Sequence, residues 1–447
     1  MNNNVNKKTP LSPPLLSDGP VSKTVLALSG AATAAVSLVA PDVAQAMVAA
    51  DKNEFNLTYS HYTEDDLDGG QLSPDSIGDG ERMSVDVIQG RGVFPLGGGF
   101  DLAVAFAYED LSGASPWQIK PRDANVVGGL DLTPTVVMSG ATIEETRTDV
   151  SATLNYSSGN YGWSATTGVS VENDYESLFF GGSVAVAMNR KHTTLSTGFL
   201  YADDTIEPSN LEDDVAYQAP SVATCGFALG RIPEADKTAL STYVSLNQVI
   251  DRYSTFEMAL GYKYNDGFLS DPYKQAYILF APNGCALSDR LTVADSRPDE
   301  RTIYTVSARY RQFIPLTNSA LHLNYRYYDD DWEIESHTME VVWYQNFIRG
   351  WQLVPSIRWY SQTEAGFYEP YYETARLDRL ASGDYRLSGY GALTYKLGLN
   401  KVLGNWRFKA LYEYYDSGES FGYDASAIEN PALVDFSRMS VGFDYSF

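Results

Sequence analysis

The sequence has few of the residues and motifs that soluble enzymes and metalloproteins use. It holds only two cysteines and four histidines among 447 residues, and neither cysteine lies in a CxxCH haem motif. No acidic cluster keeps the twelve-residue spacing of an EF-hand calcium site. We therefore predict no catalytic residue, no metal site and no cofactor.

Long hydrophobic runs are also missing, except near the start of the chain. There Lys23 precedes a short apolar stretch that ends in Ala44-Gln45-Ala46, the pattern of a signal peptide cut after Ala46. Ala50 is a second candidate cleavage position. The stretch holds several small and polar residues and is barely long enough to span a bilayer, which disfavours a membrane anchor. The sequence thus predicts an exported chain.

From Phe55 onward, segments of about ten to thirteen residues alternate apolar and polar side chains, as strands with two unlike faces do. The clearest segments begin at Tyr304, Leu321, Trp351 and Trp406. Their apolar faces often begin and end with an aromatic residue, which is typical of lipid-facing strands between two aromatic girdles. The mean hydropathy of -0.25 agrees with this interpretation because the two faces cancel in any average.

Short and long connections alternate between these segments. The short ones lie at 96–99, 157–160, 189–191, 250–252, 316–318, 349–350 and 403–405. The mostly longer ones span 64–81, 111–145, 173–177, 203–238, 265–300, 329–333, 363–383 and 417–435. Seven short and eight longer connections predict an all-β, antiparallel up-and-down transmembrane barrel of sixteen strands, with short periplasmic turns and long extracellular loops.

The chain ends in a strand pattern that supports this location. Val441, Phe443, Tyr445 and Phe447 face one way, and small or polar residues face the other. Such an ending resembles the C-terminal strand that the bacterial barrel-assembly machinery recognises. We predict a signal peptide at 1–46, or to 50, and a single barrel domain at 51–447 in the outer membrane of a Gram-negative bacterium.

The predicted partners are outer-membrane lipid, the barrel-assembly machinery, and small solutes or ions. No feature of this acidic chain, with 32 Lys and Arg against 57 Asp and Glu, suggests a nucleic acid as partner. The sequence does not decide the oligomeric state.

Charged residues at inward positions are the candidates for a function inside the barrel. The candidates for the lumen and its selectivity are Arg309, Arg311, Arg326, Arg358, Arg386, Arg407, Glu257, Glu340 and Glu413, most of them placed on the later strands. Such groups bias which ions pass through a channel, or they pair with one another and stiffen the wall. The sequence leaves both hypotheses open.

Three classes of function fit these features. A porin-like channel for small solutes or ions is the first. The second is a surface or assembly protein whose lumen is blocked, for instance by connection 111–145 folding inward, and whose loops bind a partner. The minor third class is an outer-membrane hydrolase that uses His337 near the carboxylates at 329–331. We predict that the protein is not an enzyme.

Cys225 and Cys285 lie in two neighbouring long connections. In an oxidising compartment this placement favours a disulfide that ties the two loops together. Free thiols and a cysteine of another protein are the alternatives.

Several blocks of sequence resemble an uncharacterised bacterial family, the domain of unknown function three-five-seven-zero. The blocks are Ser112 to Trp117, Asp266 to Leu269 with Pro272-Tyr273, Arg297-Pro298 with Arg301-Thr302, Tyr325 to Tyr328 with Trp332 and His337-Thr338, and Arg358 to Gln362 with Phe367-Tyr368. The resemblance implies an outer-membrane location and no established activity. Around Cys225 and Cys285 the sequence is less typical of the family, so the resemblance does not imply a disulfide.

Overall fold

The computed structural model describes residues 50–76, 80–123, 131–138, 143–208, 218–221, 224–230, 234–280, 290–424, 426 and 428–447. The predicted signal peptide and Cys285 lie outside these residues. None of the helices in the described ranges is long and apolar enough to cross a membrane.

Strands make up most of the described chain. In chain order they are β1 (Glu54–Glu64), β2 (Ser84–Gly97), β3 (Phe100–Gly113), β4 (Pro116–Asp123), β5 (Asp131–Met138), β6 (Ile143–Ser158), β7 (Tyr161–Val171), β8 (Tyr175–Met188), β9 (Thr193–Ile206), β10 (Ala235–Val249), β11 (Ser254–Gly267), β12 (Gln275–Phe280), β13 (Leu291–Ala294), β14 (Glu300–Ile314), β15 (Ser319–Asp330), β16 (Glu335–Asn346), β17 (Trp351–Gln362), β18 (Tyr372–Thr374), β19 (Tyr390–Leu403), β20 (Trp406–Gly418) and β21 (Phe436–Ser446).

Sixteen of these strands close an antiparallel barrel, which confirms the predicted fold. The last strand, β21, pairs with β1 over the register Glu54↔Ser446 to Glu64↔Phe436. Backbone bonds between Asn53 and Phe447 extend the seam, at 2.9 and 3.0 Å. Every barrel strand therefore has two neighbours, and no barrel edge is left unpaired.

The alternation of side chains assigns the two faces of the wall. Large apolar residues such as Phe106, Leu260 and Val441 are exposed on the outside of the barrel, as a lipid-facing surface requires. Near the short turn between β19 and β20, Trp406 stacks on Tyr445 with ring centroids 4.3 Å apart, and Phe55 lies 6.1 Å from Phe443. Residues at the alternate positions face the lumen.

Both kinds of connection fall where the sequence predicts them. The short connections between barrel strands include two-residue turns that begin with Gly159 and Gly404, whose φ values are +63° and +61°. Glycine adopts this conformation without the steric cost that a side chain would add, so it suits tight hairpins. We call this side of the barrel the turn end and the opposite side the loop end.

The five strands outside the barrel belong to long connections at the loop end. They form a second sheet in the order β13-β12-β4-β5, with β18 paired in parallel to β12. The pairing of β12 with β4 is also parallel and joins Gln275 to Gln118. An isolated bridge between Leu72 and Val136 adds the first long connection to the edge of this sheet. We call this sheet, together with the described residues of the connections around it, the cap.

Candidate functional site

Apolar side chains hold the cap together. Phe227 from connection 207–234, Ile278 on β12 and Tyr372 on β18 are buried in one shared cluster. Ile119 and Val136, on β4 and β5, pack with Leu67 and Ala432 in another. Burial of this kind makes the cap a folded unit with its own core rather than a set of separate solvated loops.

A buried network of charges lies inside the cap. Asp384 begins a single 3-10 turn and accepts a hydrogen bond from the backbone N–H of Arg386 at 3.1 Å. Its carboxylate also meets the guanidinium of Arg297 at 2.8 Å, and Arg297 bonds Asp295 at 2.7 Å. Arg386 reaches Asp271 at 2.6 Å. These contacts lock connection 268–299 to connection 363–389.

Lys274 completes this network, which we call the ion-pair cluster: Asp271, Lys274, Asp295, Arg297, Asp384 and Arg386. The Nζ of Lys274 donates to the carbonyl of Pro116 at 2.8 Å and so joins β4 to the cluster. Burial by itself would raise the pKa of Asp384, but the adjacent Arg386, Lys274 and Arg297 hold that pKa below its ordinary value. Burial raises the pKa of Asp295 despite the nearby Arg297.

The cap enters the loop end of the lumen through Tyr385. This ring packs against a cluster that contains Tyr62, Val85 and Val87, all inward residues of β1 and β2. Burial first, and the charge of Glu64 second, raise the pKa of Tyr385 to about 12. Gln362, an inward residue of β17, donates to the carbonyl of Ser388 at 2.6 Å and holds the turn in place. The cap therefore narrows the mouth of the barrel.

Below the cap, the half of the wall formed by β11 to β21 carries many cations. We call its inward basic residues the cationic wall: Lys263, Arg301, Arg309, Arg311, Arg326, Arg358, Lys396, Arg407, Lys409 and Arg438. Fewer anions share these strands, namely Glu257, Asp330, Glu340, Glu413 and Asp444. The positive charge of this half is therefore only partly compensated.

Several of the predicted lumen residues form pairs along this wall. Arg309 lies 3.6 Å from Glu257, and Lys396 lies 3.4 Å from Glu340. Glu413 receives an ion pair from Arg438 and lies 3.8 Å from Lys396. Next to the turn end, Asp444 bonds Lys409 at 2.6 Å, and Arg407 lies 4.0 Å away. The paired groups stiffen the wall, as one of the two hypotheses expects.

Arg326 and Arg358 differ from these pairs. Within the described part of the chain, neither guanidinium makes a hydrogen bond or an ion pair, although Arg358 lies 6.0 Å from the ring centroid of Tyr360. Arg326 is exposed and Arg358 is half-buried. Glu340 is the register partner of Arg358, but its carboxylate is engaged by Lys396, Asn324 and Ser356. Two inward cations thus keep free positive charge in the lumen.

The sequence reasoning missed an acidic region on the opposite half of the wall. Arg147 on β6 is surrounded by Glu109 on β3, Asp149 on β6 and Glu172 after β7. Glu145 and Asp174 lie beside Glu172. Arg147 lies 3.1 Å from Asp149 and 3.4 Å from Glu172. The inward spacing of Glu145, Arg147 and Asp149 along one strand is the signal that could have revealed it.

Arg386 does not belong to the later barrel strands. It lies in the 3-10 turn of connection 363–389 and takes part in the ion-pair cluster of the cap. The expectation of a wall position was wrong because this connection resumes strand structure only at Tyr390, four residues later in the chain.

His337 faces outward rather than into the lumen. It bonds the hydroxyl of Tyr325 at 2.8 Å and packs against the ring of Tyr423 at 5.2 Å. Asp330, the inward carboxylate nearby in sequence, is paired with Arg301 at 2.5 Å. Within the described residues His337 therefore lacks the carboxylate contact that a catalytic dyad would need.

Cys225 is disulfide-bonded and has no free thiol. It packs beside Phe227 in the apolar core of the cap. The predicted partner, Cys285, lies outside the described residues, so the pairing stays a prediction.

A family model described as "Protein of unknown function (DUF3570)" matches residues 25–430. No curated protein matches the chain. Among solved structures, CdiB from Acinetobacter baumannii is 9% identical with a TM-score of 0.47, and the match covers 89% of this chain and 60% of that one. The chain therefore spans less than two thirds of the length of CdiB.

Two further solved structures match over nearly their whole length. A bacterial polysaccharide outer membrane secretin is 10% identical with a TM-score of 0.45, over 88% of this chain and 98% of that one. OccK2 (OpdF) of Pseudomonas aeruginosa, solved in complex with glucuronate, is 11% identical with a TM-score of 0.38, over 89% and 98%. At these identities the likeness concerns the barrel fold alone.

Proposed function

This chain is a member of the DUF3570 family of proteins of unknown function, and we propose that it is a capped outer-membrane channel for small anionic solutes in a Gram-negative bacterium. The observation that carries the proposal is the pair Arg326 and Arg358, two inward cations that make no hydrogen bond or ion pair within the described residues. A charge that is not held in an ion pair acts on whatever enters the lumen.

The surroundings of these two residues strengthen their effect. They lie on neighbouring parts of the cationic wall, where β15 to β17 are adjacent strands. A low-dielectric wall with charge of one sign focuses the field into the water that it encloses and raises the local concentration of ions of opposite sign. Anions are therefore favoured at this depth of the barrel.

The cap explains why the solutes should be small. Its sheet and the turn around Tyr385 occupy the loop end of the lumen, where a wide porin would be open to solvent. Solutes must pass between the cap and the wall, or wait until the cap moves. Size is thus selected at the mouth and charge is selected below it.

The proposal is tested by planar-bilayer recordings of the full mature chain. We expect a small steady conductance and a reversal potential that indicates anion selectivity in a salt gradient. The double variant Arg326→Gln/Arg358→Gln should lose most of that selectivity, because it removes the two uncompensated charges. The matched control is Lys191→Gln/Arg252→Gln, which removes two cations from turns at the opposite end of the barrel.

Two results would overturn the proposal. If the purified, folded barrel shows no conductance, it is not a channel. If the Arg326/Arg358 variant has the same reversal potential as the wild type, these two residues do not determine the ion selectivity. An equal loss in the control would show that overall charge, not position in the lumen, sets the preference.

A second candidate function is that of a surface or assembly protein that binds a partner through its loops. One observation favours it: the connections build a folded cap with an apolar core of its own, as a binding module would. The bilayer recordings distinguish this function from that of a channel. A binding protein with a blocked lumen should show no conductance, even in a variant whose cap is loosened.

We also propose that the outward row of the last strand, Val441, Phe443, Tyr445 and Phe447, is the signal read by the barrel-assembly machinery. Phe447 and Val441 are exposed, and they border the seam with β1. Phe447→Ala should therefore lower the fraction of heat-modifiable, membrane-inserted barrel in cells, whereas Phe347→Ala, in an exposed turn, should not. Equal assembly of both variants would contradict the assignment.

A further inference from the structure

Three carboxylates meet at the loop end of the acidic half of the barrel. Glu145 is near the start of β6, while Glu172 and Asp174 lie in the connection between β7 and β8. One oxygen of each lies within 4.8 Å of the other two, and all three side chains are half-buried. Like charges so close repel one another strongly unless a cation or a proton lies between them.

The protein supplies too little positive charge to balance this region. Arg147 already contacts Asp149 at 3.1 Å and Glu172 at 3.4 Å, and its Nε donates to Ser170 at 3.0 Å. The next cation, Lys237, is paired with Asp204 at 3.2 Å. Glu172 therefore shares Arg147 with Asp149, and Lys237, whose charge also acts on Glu172, is held by Asp204.

A second, independent observation is the buried carboxylate of Glu109. Its side chain points inward next to Arg147, its register partner on β6, and it senses the charges of Asp149 and Glu172. Glu109 is only 2% exposed, and its Oε2 has no hydrogen-bond partner within the described residues. Buried polar atoms almost always have a partner, so this oxygen indicates a place for a further cation beside Arg147.

The chemistry of the donors indicates the kind of cation. All of them are carboxylate oxygens, with no histidine or cysteine among them, which is the donor set of a hard cation. Calcium accepts six to eight oxygens in a flexible arrangement and tolerates water as a ligand, so a half-buried site suits it. Magnesium demands a stricter octahedral geometry and keeps most of its own waters.

We propose that Glu145, Glu172 and Asp174 bind a calcium ion, with the carboxylate of Glu109 contributing charge from the adjacent strand. The site also touches the cap, because the hydroxyl of Tyr273 donates to Asp174. A bound ion would therefore tie β6 and the β7–β8 connection to connection 268–299, on the side of the barrel away from the cationic wall. This role is separate from solute passage and does not depend on it.

The test uses the full mature chain, refolded in detergent and freed of metal with a chelator. Titration with CaCl2 by calorimetry should show one equivalent, with a Kd on the order of 10⁻⁴ to 10⁻³ M or tighter, as in extracellular calcium modules. Terbium luminescence sensitised by Tyr273 should follow the same saturation and be displaced by calcium. Calcium should also raise the temperature at which the heat-modifiable folded form is lost.

The variant Glu145→Gln/Asp174→Asn should weaken calcium binding more than tenfold. It removes like charges and leaves an amide oxygen to accept the bond from Tyr273, so folding should be preserved and is checked by circular dichroism. The matched control, Asp329→Asn/Glu335→Gln, removes an outward-facing register pair of carboxylates at the same end of the barrel. It should bind calcium like the wild type.

The proposal is overturned if the wild type shows no saturable binding up to about tenfold above that range. It is equally overturned if the Glu145/Asp174 variant binds as tightly as the wild type, or if the control loses as much affinity as the variant.

Discussion

The two halves of the barrel wall present different surfaces to the lumen. In the half formed by β1 to β10, small hydroxyl side chains pair across neighbouring strands: Ser164 with Ser183 at 2.7 Å, and Ser196 with Ser245 at 2.6 Å. In the half formed by β11 to β21, long basic side chains reach inward and are incompletely neutralised. The first wall is lined by small hydroxyl side chains between its charged ends, and the second is lined by long basic side chains.

The difference teaches how a barrel of fixed strand number can set two properties separately. The diameter of the wall depends on the strands, but the free width of the lumen depends on how far side chains extend into it. Small residues on one side leave room, while arginines on the other supply the field. For the proposed channel, size selection and charge selection should therefore respond to different mutations.

The largest effect is expected from the cap, which covers both halves. Asp384→Asn leaves Arg297 and Arg386 buried without their shared carboxylate, and breaking a buried pair in this way costs about 3–5 kcal/mol. We expect the cap to loosen and the single-channel conductance to rise several-fold.

The control for this variant is Asp378→Asn, in the same connection. Asp378 pairs with Arg376 at the surface, where the two side chains are 44% and 36% exposed. Exposed pairs contribute little, about 0–1 kcal/mol, so the conductance should stay at the wild-type level. Heat-modifiability should show that both variants are folded. If their conductances are then equal, the ion-pair cluster does not hold the cap in its closed position.

An intermediate effect is expected from a bulkier side chain in the half of the wall formed by β1 to β10. Thr166 faces the lumen and bonds Thr153 across the strand pair at 2.9 Å. Thr166→Trp should fill part of the free width and lower the conductance about two-fold or more, in line with the dependence of a channel on its pore lining. The reversal potential should stay unchanged, because no charge is altered.

The reciprocal result is expected from Arg326→Gln, which changes the reversal potential and leaves the conductance close to that of the wild type. If Thr166→Trp and Arg326→Gln each changed the conductance and the reversal potential to the same extent, the two halves of the wall would not control size and charge separately. Recordings at low and high salt sharpen the comparison, since screening weakens the arginine effect alone.

Local patterns explain why the barrel could be predicted and the site only in part. Alternation along β15 and the tight turn at Gly404 are set by neighbouring residues, so they can be recognised in the sequence. That Arg358 forms no ion pair depends instead on the strand register. Glu340 lies opposite Arg358, but its carboxylate is engaged by Lys396 from another strand. No single segment contains that information.

The cap illustrates the same limit over longer distances. Its sheet joins Gln118 to Gln275 in parallel, and these residues belong to connections that are far apart in the chain. The strands of the cap are short and lack the long alternation of apolar and polar residues that marks the barrel strands. The sequence pattern therefore predicts loops there. The closeness of Glu145 to Asp174 likewise arises only when β6 and the β7–β8 connection fold together.

The smallest effect is expected from mild acid, because of the ionisation of Asp384. Burial opposes its charge, but Arg386, Lys274 and Arg297 hold its pKa below the ordinary value of 3.8. A carboxyl with a lowered pKa contributes its full stabilisation above the ordinary pKa and loses it only as the pH falls through the still lower folded value. Between about pH 7 and pH 5 this contribution should therefore be constant.

The neighbours of Asp384 do not reverse this expectation. The pKa of Asp295 is raised, mainly by burial, so protonation of that carboxyl favours the folded cap as the pH falls. Lys274 keeps a hydrogen for the carbonyl of Pro116 whether or not its amine is charged. The wild-type conductance should thus be the same at about pH 7 and pH 5. A reversible opening in that interval would show that a group outside the ion-pair cluster holds the cap in place.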